Sequence, residues 1–129
     1  MAKALSVIRK NGVATLAGAA LPALFAPDAK AAKRTLEFFV ANIRNPHTRK
    51  AYIAAASEFS VWCEEHRIVD LADVQPMHVA TYVEFLQSWY SAPSVKLKLA
   101  AIRMLFDWLV IGQVMPLNPA SSVRGRAMW

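Results

Sequence analysis

The sequence predicts an all-α domain, a bundle of four helices with a short arm ahead of it. Three observations carry that prediction. Apolar residues recur at the helical period of 3.6 in four successive segments. Each segment opens on a capping residue or a proline: Asp28, Asn45 with Pro46, Pro76, and Ser94. Strand signals are almost absent, and neither an internal repeat nor a glycine-serine linker divides the 129 residues. A chain of that length fits one domain and can bury a core, and its 56% apolar content excludes disorder as the main state.

The arm comes first. Lys3, Arg9 and Lys10 precede the apolar run Val13 to Ala26, a pattern that imitates a signal peptide. Pro22 interrupts the run, Leu24 stands where a small residue would precede cleavage after Ala26, and Pro27 would follow the cut. We therefore expect no export. The run is also shorter than the roughly 20 apolar residues that a bilayer needs. Residues 1–28 are expected as a loosely ordered arm or a short helix laid on the domain, and residues 29–125 as the domain itself.

The first helix follows the cap Asp28 and places Ala32, Leu36, Phe39, Val40 and Ile43 on one face. The second is capped by Asn45, with Pro46 at the first helical position, where its missing N–H costs nothing. Thr48, Tyr52, Ala55, Ala56, Phe59, Trp62, Cys63 and His66 line one stripe of it. The stretch RIVDLADVQ then breaks the period. Pro76 starts the third helix, which turns Val79, Tyr82, Val83 and Leu86 to the core. After the break SAPS, Ser94 is expected to cap the fourth helix, which runs to Ile111 and ends on Gly112 as C-cap.

That fourth helix is apolar nearly all round. Val95, Leu99, Ile102, Phe106 and Leu109 form one face, and Leu97, Ala101, Met104 and Trp108 a second on nearly the opposite side. Only Lys96, Arg103 and Asp107 keep a polar strip, and Arg103 and Asp107 are spaced to pair at i, i+4. Such a helix belongs in a bundle interior or a membrane. Lys96, Lys98, Arg103 and Asp107 exclude the membrane. It is read as the central helix, with a second face free to dock something outside the chain.

No catalytic constellation appears. His47, His66 and His78 are too far apart for the i, i+3 or i, i+4 pairing of a helical metal site, and no cysteine or carboxylate pattern completes one. The four glycines form no phosphate-binding loop. Tyr52, Tyr82 and Tyr90 lack a neighbouring base. Cys63, the one cysteine, falls on an apolar helix face, where a thiol acts as a small hydrophobe, and it fits a reducing cytosol. We expect no metal, no cofactor, no small-molecule substrate, no membrane contact and a cytoplasmic location.

Charge placement says more. Lys and Arg number 15 against 9 Asp and Glu, a net charge of +6 that points toward a polyanion. Arg44, His47, Arg49 and Lys50 surround the start of the second helix; Lys96, Lys98 and Arg103 fall in the first half of the fourth; Arg124 and Arg126 lie further on. The acids Glu58, Glu64, Glu65, Asp70 and Asp73 gather elsewhere. This segregation predicts a basic face at two helix starts and an acidic opposite end. Helix N-termini add N–H groups and partial positive charge suited to phosphate.

The order of motifs then resembles the N-terminal core-binding domain of tyrosine recombinases, the phage integrase and Xer-like group. Thr48 and Tyr52 match a Thr-x-x-x-Tyr helix start, and Pro76, Val79 and Tyr82 a Pro-x-x-Val-x-x-Tyr helix. Leu99, Ala101, Ile102, Arg103, Phe106 and Leu109 match a Ser-capped Leu-x-Ala-Ile-Arg-x-x-Phe-x-x-Leu helix, followed by Asn118, Pro119 and Val123. The resemblance spans residues 30–125. It implies a SAM-like orthogonal four-helix bundle that forms half of a clamp around DNA, with the second and fourth helices toward the major groove. Carried over by position, with the charge cluster, the DNA-binding residues are His47, Thr48, Arg49 and Lys50 on the second helix. On the fourth they are Ser94, Lys96, Lys98 and Arg103. Tyr52 is read as a core residue first, and Arg103 has Asp107 as a competing partner.

Family enzymes continue into a catalytic domain, so residues 126–129 read as the start of a linker toward one that is absent, and the chain by itself is expected not to cleave DNA. The implied partners are double-stranded DNA and recombinase subunits or a catalytic domain. An alternative from another class is a helical protein-interaction module that oligomerises through Leu97, Met104 and Trp108.

Overall fold

The computed structural model of the chain describes residues 8–10, 13–16 and 19–124. Four α-helices make up its body: α1 Ala29–Glu37, α2 Pro46–Glu65, α3 Pro76–Trp89 and α4 Ala92–Ile111. The all-α bundle expected from the periodicity is therefore the observed one. Among the described residues no helix is long and apolar enough to cross a membrane.

The arm differs from expectation. Instead of loose chain or a short helix it forms an antiparallel meander of β1 Ile8–Lys10, β2 Val13–Leu16 and β3 Ala19–Pro22, with Ile8 opposite Thr15 and Val13 opposite Pro22. A 3-10 turn, Ala23–Phe25, follows and enters the core. Its backbone polar groups are taken up by buried side chains: Leu24 N donates to Ser60 Oγ at 3.0 Å, and Thr35 Oγ1 donates to Phe25 O at 2.8 Å. The fully buried Phe25 ring lies 5.6 Å from Phe106 and 6.3 Å from Phe59. Pairing among strands and burial of one aromatic hold this segment in place of helical hydrogen bonds.

Asp28 caps α1 as expected, accepting from Ala31 N at 2.8 Å. The helix then loosens into a π turn, Phe38–Asn42, closed by Ile43 N to Phe38 O at 3.2 Å. The wider turn rotates the residues after it relative to a 3.6 period. Phe38, Phe39 and Ile43 are buried, while Val40, expected on the core face, is 58% exposed.

α2 is capped by Asn45, whose Oδ1 accepts from His47 N at 2.9 Å and Thr48 N at 3.1 Å, with Pro46 leading the first turn. Its expected stripe is buried from Ala55 to Cys63, but Thr48 and His66 at its two ends are exposed. α3 begins at Pro76, and His78 Nδ1 accepts from Gln75 N at 3.0 Å. α4 starts three residues earlier than expected, with Ser91 rather than Ser94 as N-cap, because Pro93 fits a first helical turn as well as a break.

α4 buries Val95, Leu99, Ala101, Ile102, Leu105, Phe106 and Leu109 against the other helices and Phe25. It ends at Gly112, which has an ordinary φ of −79°; the left-handed residue is Gln113, φ 62°. A Cβ at Gly112 would come within 2.3 Å of Arg34 Nε, so that side chain, stacked on Trp108, would have to shift to admit one.

Candidate nucleic-acid interface

The site is framed by α2 and α4. Tyr52 Oη donates to Met104 Sδ at 3.4 Å, and Glu58 Oε1 pairs with Lys98 Nζ at 2.7 Å. Passing from Tyr52 to Glu58 along α2 thus means passing back from Met104 to Lys98 along α4, so the helices run antiparallel. The start of α2 sits beside the C-terminal half of α4. The start of α4 sits beside the acidic half of α2. The two basic helix starts are accordingly at opposite ends of one seam, and at 1.5 Å per residue Lys50 and Lys96 lie about 15 Å apart along it.

At the first end, Arg44, His47, Thr48 and Lys50 are exposed. Arg49 is half-buried and turned inward: Nε and Nη2 donate to Ile43 O at 3.1 and 2.8 Å, fastening the end of the π turn to α2. The backbone donors of this helix start are also committed, since Asn45 takes the N–H groups of His47, Thr48 and Arg49 and Pro46 has none. The helix start therefore offers a ligand its side chains rather than its backbone.

At the second end Lys96 is exposed and Ser94 half-buried, with Ser91 Oγ 3.2 Å from Ser94 Oγ. Lys98 is engaged within the fold. Its ammonium pairs with Glu58 and stands 4.4 Å from the Tyr90 ring centroid, while Tyr90 Oη donates to the other oxygen of the same carboxylate. That hydrogen bond raises the Tyr90 pKa. No sequence signal marks this trio, because Glu58 lies on another helix, 32 residues from Tyr90 and 40 from Lys98.

Arg103 serves the segment after α4. Nε donates to Ala120 O at 3.0 Å and Nη2 donates to Val123 O. Burial, then the charge of Arg124, lowers its pKa. The expected partner Asp107 instead accepts from Asn118 Nδ2 at 2.7 Å, and Asn118 also binds Arg103 O at 3.1 Å. The Asn-Pro motif is thus a clasp that returns the chain onto α4. Arg126 lies outside the described residues.

Trp108, expected on a free second face, is docked on α1. Its Nε1 donates to Arg34 O at 2.8 Å, Arg34 Nε donates back to Trp108 O at 3.2 Å, and the guanidinium stacks 3.7 Å over the indole. Leu97 and Met104 remain exposed. Among the described residues no cluster of His, Cys, Asp and Glu could hold a metal ion.

The four-helix arrangement is that of an all-α bundle. Residues 37–112, more than half of the chain, match the family model of the phage integrase N-terminal SAM-like domain. The chain belongs to that family, the group to which the core-binding domain of tyrosine recombinases had pointed. Comparison with curated proteins and with solved structures finds no match.

Proposed function

We propose that the chain is a non-catalytic DNA-binding module of a tyrosine-type site-specific recombinase, clamping duplex DNA at a recombination site in the cytoplasm. The observation that carries this reading is the pair of exposed cationic ends on the α2–α4 seam, Arg44, His47 and Lys50 at one and Lys96 at the other, in a chain of net charge +6. The B-DNA major groove is about 12 Å wide. Cations about 15 Å apart reach phosphates on both of its walls. Strand cutting and rejoining belong to a separate catalytic domain, and recombinase subunits are the protein partners.

Each Lys or Arg on a phosphate contributes roughly −0.9 to the slope of log K against log salt. Lys50→Ala with Lys96→Ala is expected to flatten that slope by about one to two units in duplex-binding titrations. Lys98→Ala, whose charge Glu58 already holds, leaves it near wild type. A slope unchanged in the double variant would take the seam out of the interface.

A further inference from the structure

At the end of α2 away from the basic cluster, a groove of about 370 Å³ runs between α2 and α3. Val61 and Phe85 wall it, Trp62 lies at its base, and Glu58 and Glu65 stand along its edge. The apolar surface does not stop there. Trp89, 72% exposed, lies one turn beyond Phe85 on α3, their rings 6.5 Å apart, and Val61 and Phe85 are themselves 46% and 41% exposed. A connected apolar patch with a polar rim marks a site of association.

Charge says what kind of partner it fits. Glu64 and Glu65 are exposed and form no ion pair among the described residues. The carboxylates on the α3 side of α2 repel phosphates, which the cations along the α2–α4 seam attract instead. From Ser57 to Glu65 the groove is about two helical turns long, the span over which an i, i+3/i+4, i+7 apolar stripe would lie.

We propose that the α2–α3 groove docks a cationic amphipathic helix of a partner protein, its apolar stripe on Val61, Phe85 and Trp89 and its Lys or Arg side chains on Glu65 and the neighbouring acids. This surface is independent of the DNA reading. It leaves the module able to hold DNA along the α2–α4 seam and a protein in the α2–α3 groove.

The probe is an 18-residue helical peptide with Leu at i, i+3, i+4 and i+7 spacing and Lys elsewhere, against a control with Glu for every Lys. The full chain is titrated while backbone amide shifts are followed. The Lys peptide is expected to bind saturably, with perturbations on residues 57–65 and 81–89. The Glu peptide is expected to bind at least tenfold more weakly. General attraction cannot produce that result, because a chain of net charge +6 repels a cationic peptide. Trp89→Ala and Glu65→Gln, both exposed changes that leave the core intact, should each weaken the Lys peptide several-fold without altering DNA binding. Equal binding of the two peptides, perturbations centred elsewhere, or no binding at millimolar peptide would overturn the proposal. So would salt-resistant self-association abolished by Trp89→Ala, which would make a second copy the occupant.

Discussion

Glu58 is the residue whose role the tertiary structure changes most. Counted in the sequence among the acids of an end opposite the basic face, it holds both Lys98 and Tyr90 at the start of α4. Both members of the Glu58–Lys98 pair are partly exposed, so its contribution to stability is small. Its effect on charge is larger, because it cancels a lysine at the proposed DNA edge. Glu58→Gln is expected to free that ammonium, tighten duplex binding and steepen the salt slope by about one unit. The gain should vanish in Glu58→Gln with Lys98→Ala. If Glu58→Gln leaves duplex binding as it was, Lys98 does not reach DNA. Arg49 and Arg103 illustrate the same point from the other side: both matched a DNA-contact pattern, and both spend their donors on carbonyls that hold the backbone together. A side chain's charge is written in the sequence; its partner is a matter of folding.

Among the elements, the helices were legible and the connections were not. α2 and α3 begin where Asn45-Pro46 and Pro76 said they would, since capping chemistry is local. The π turn after α1 was not legible, because one wider turn leaves no mark in composition and only displaces Val40 from the face assigned to it. The arm was missed for a similar reason. Its apolar run, expected as loose chain or a short helix, carries no period that sets strand apart from helix, and its place is fixed only by Phe25 lying between Phe59 and Phe106. Phe25→Ala should therefore behave as a core truncation and cost about 3–5 kcal/mol in urea denaturation. A loss under about 1 kcal/mol would show that the 3-10 turn is peripheral.

On the scale of the molecule, one core joins α2, α3, α4 and the π turn to the 3-10 turn, α1 packs through Ala32 and Leu36 on a smaller second cluster, and two ionisable groups are sealed in the main core. Burial pushes the Cys63 thiol up to about 12 and raises the Tyr82 phenol, whose buried Oη finds no hydrogen-bond partner among the described residues. Both groups are neutral when protonated, and both are raised above their unfolded values. Their contribution to stability is thus full below the ordinary thiol pKa near 9 and is lost as pH rises toward 12. The urea midpoint is expected to fall between pH 9 and pH 11, and to fall less in Cys63→Ala. At pH 7 the thiol should resist alkylation unless the chain is unfolded. A midpoint flat across that range, or rapid alkylation of the native chain, would contradict the burial.

The amino-acid sequence alone determined the class of fold, the four helices with most of their buried faces, the excess of positive charge and the family. All of these are carried by periodicity, capping and composition, which act within a few residues. Tertiary structure decided which charges remain for a partner. Because α2 and α4 run antiparallel, two basic helix starts that look like one cluster lie at opposite ends of a seam. The chain's return over α4 takes Arg103, Glu58 takes Lys98, and α1 takes Trp108. Such pairings join residues from 17 to 74 positions apart. They form only when the core has brought the helices together, so no local pattern announces them.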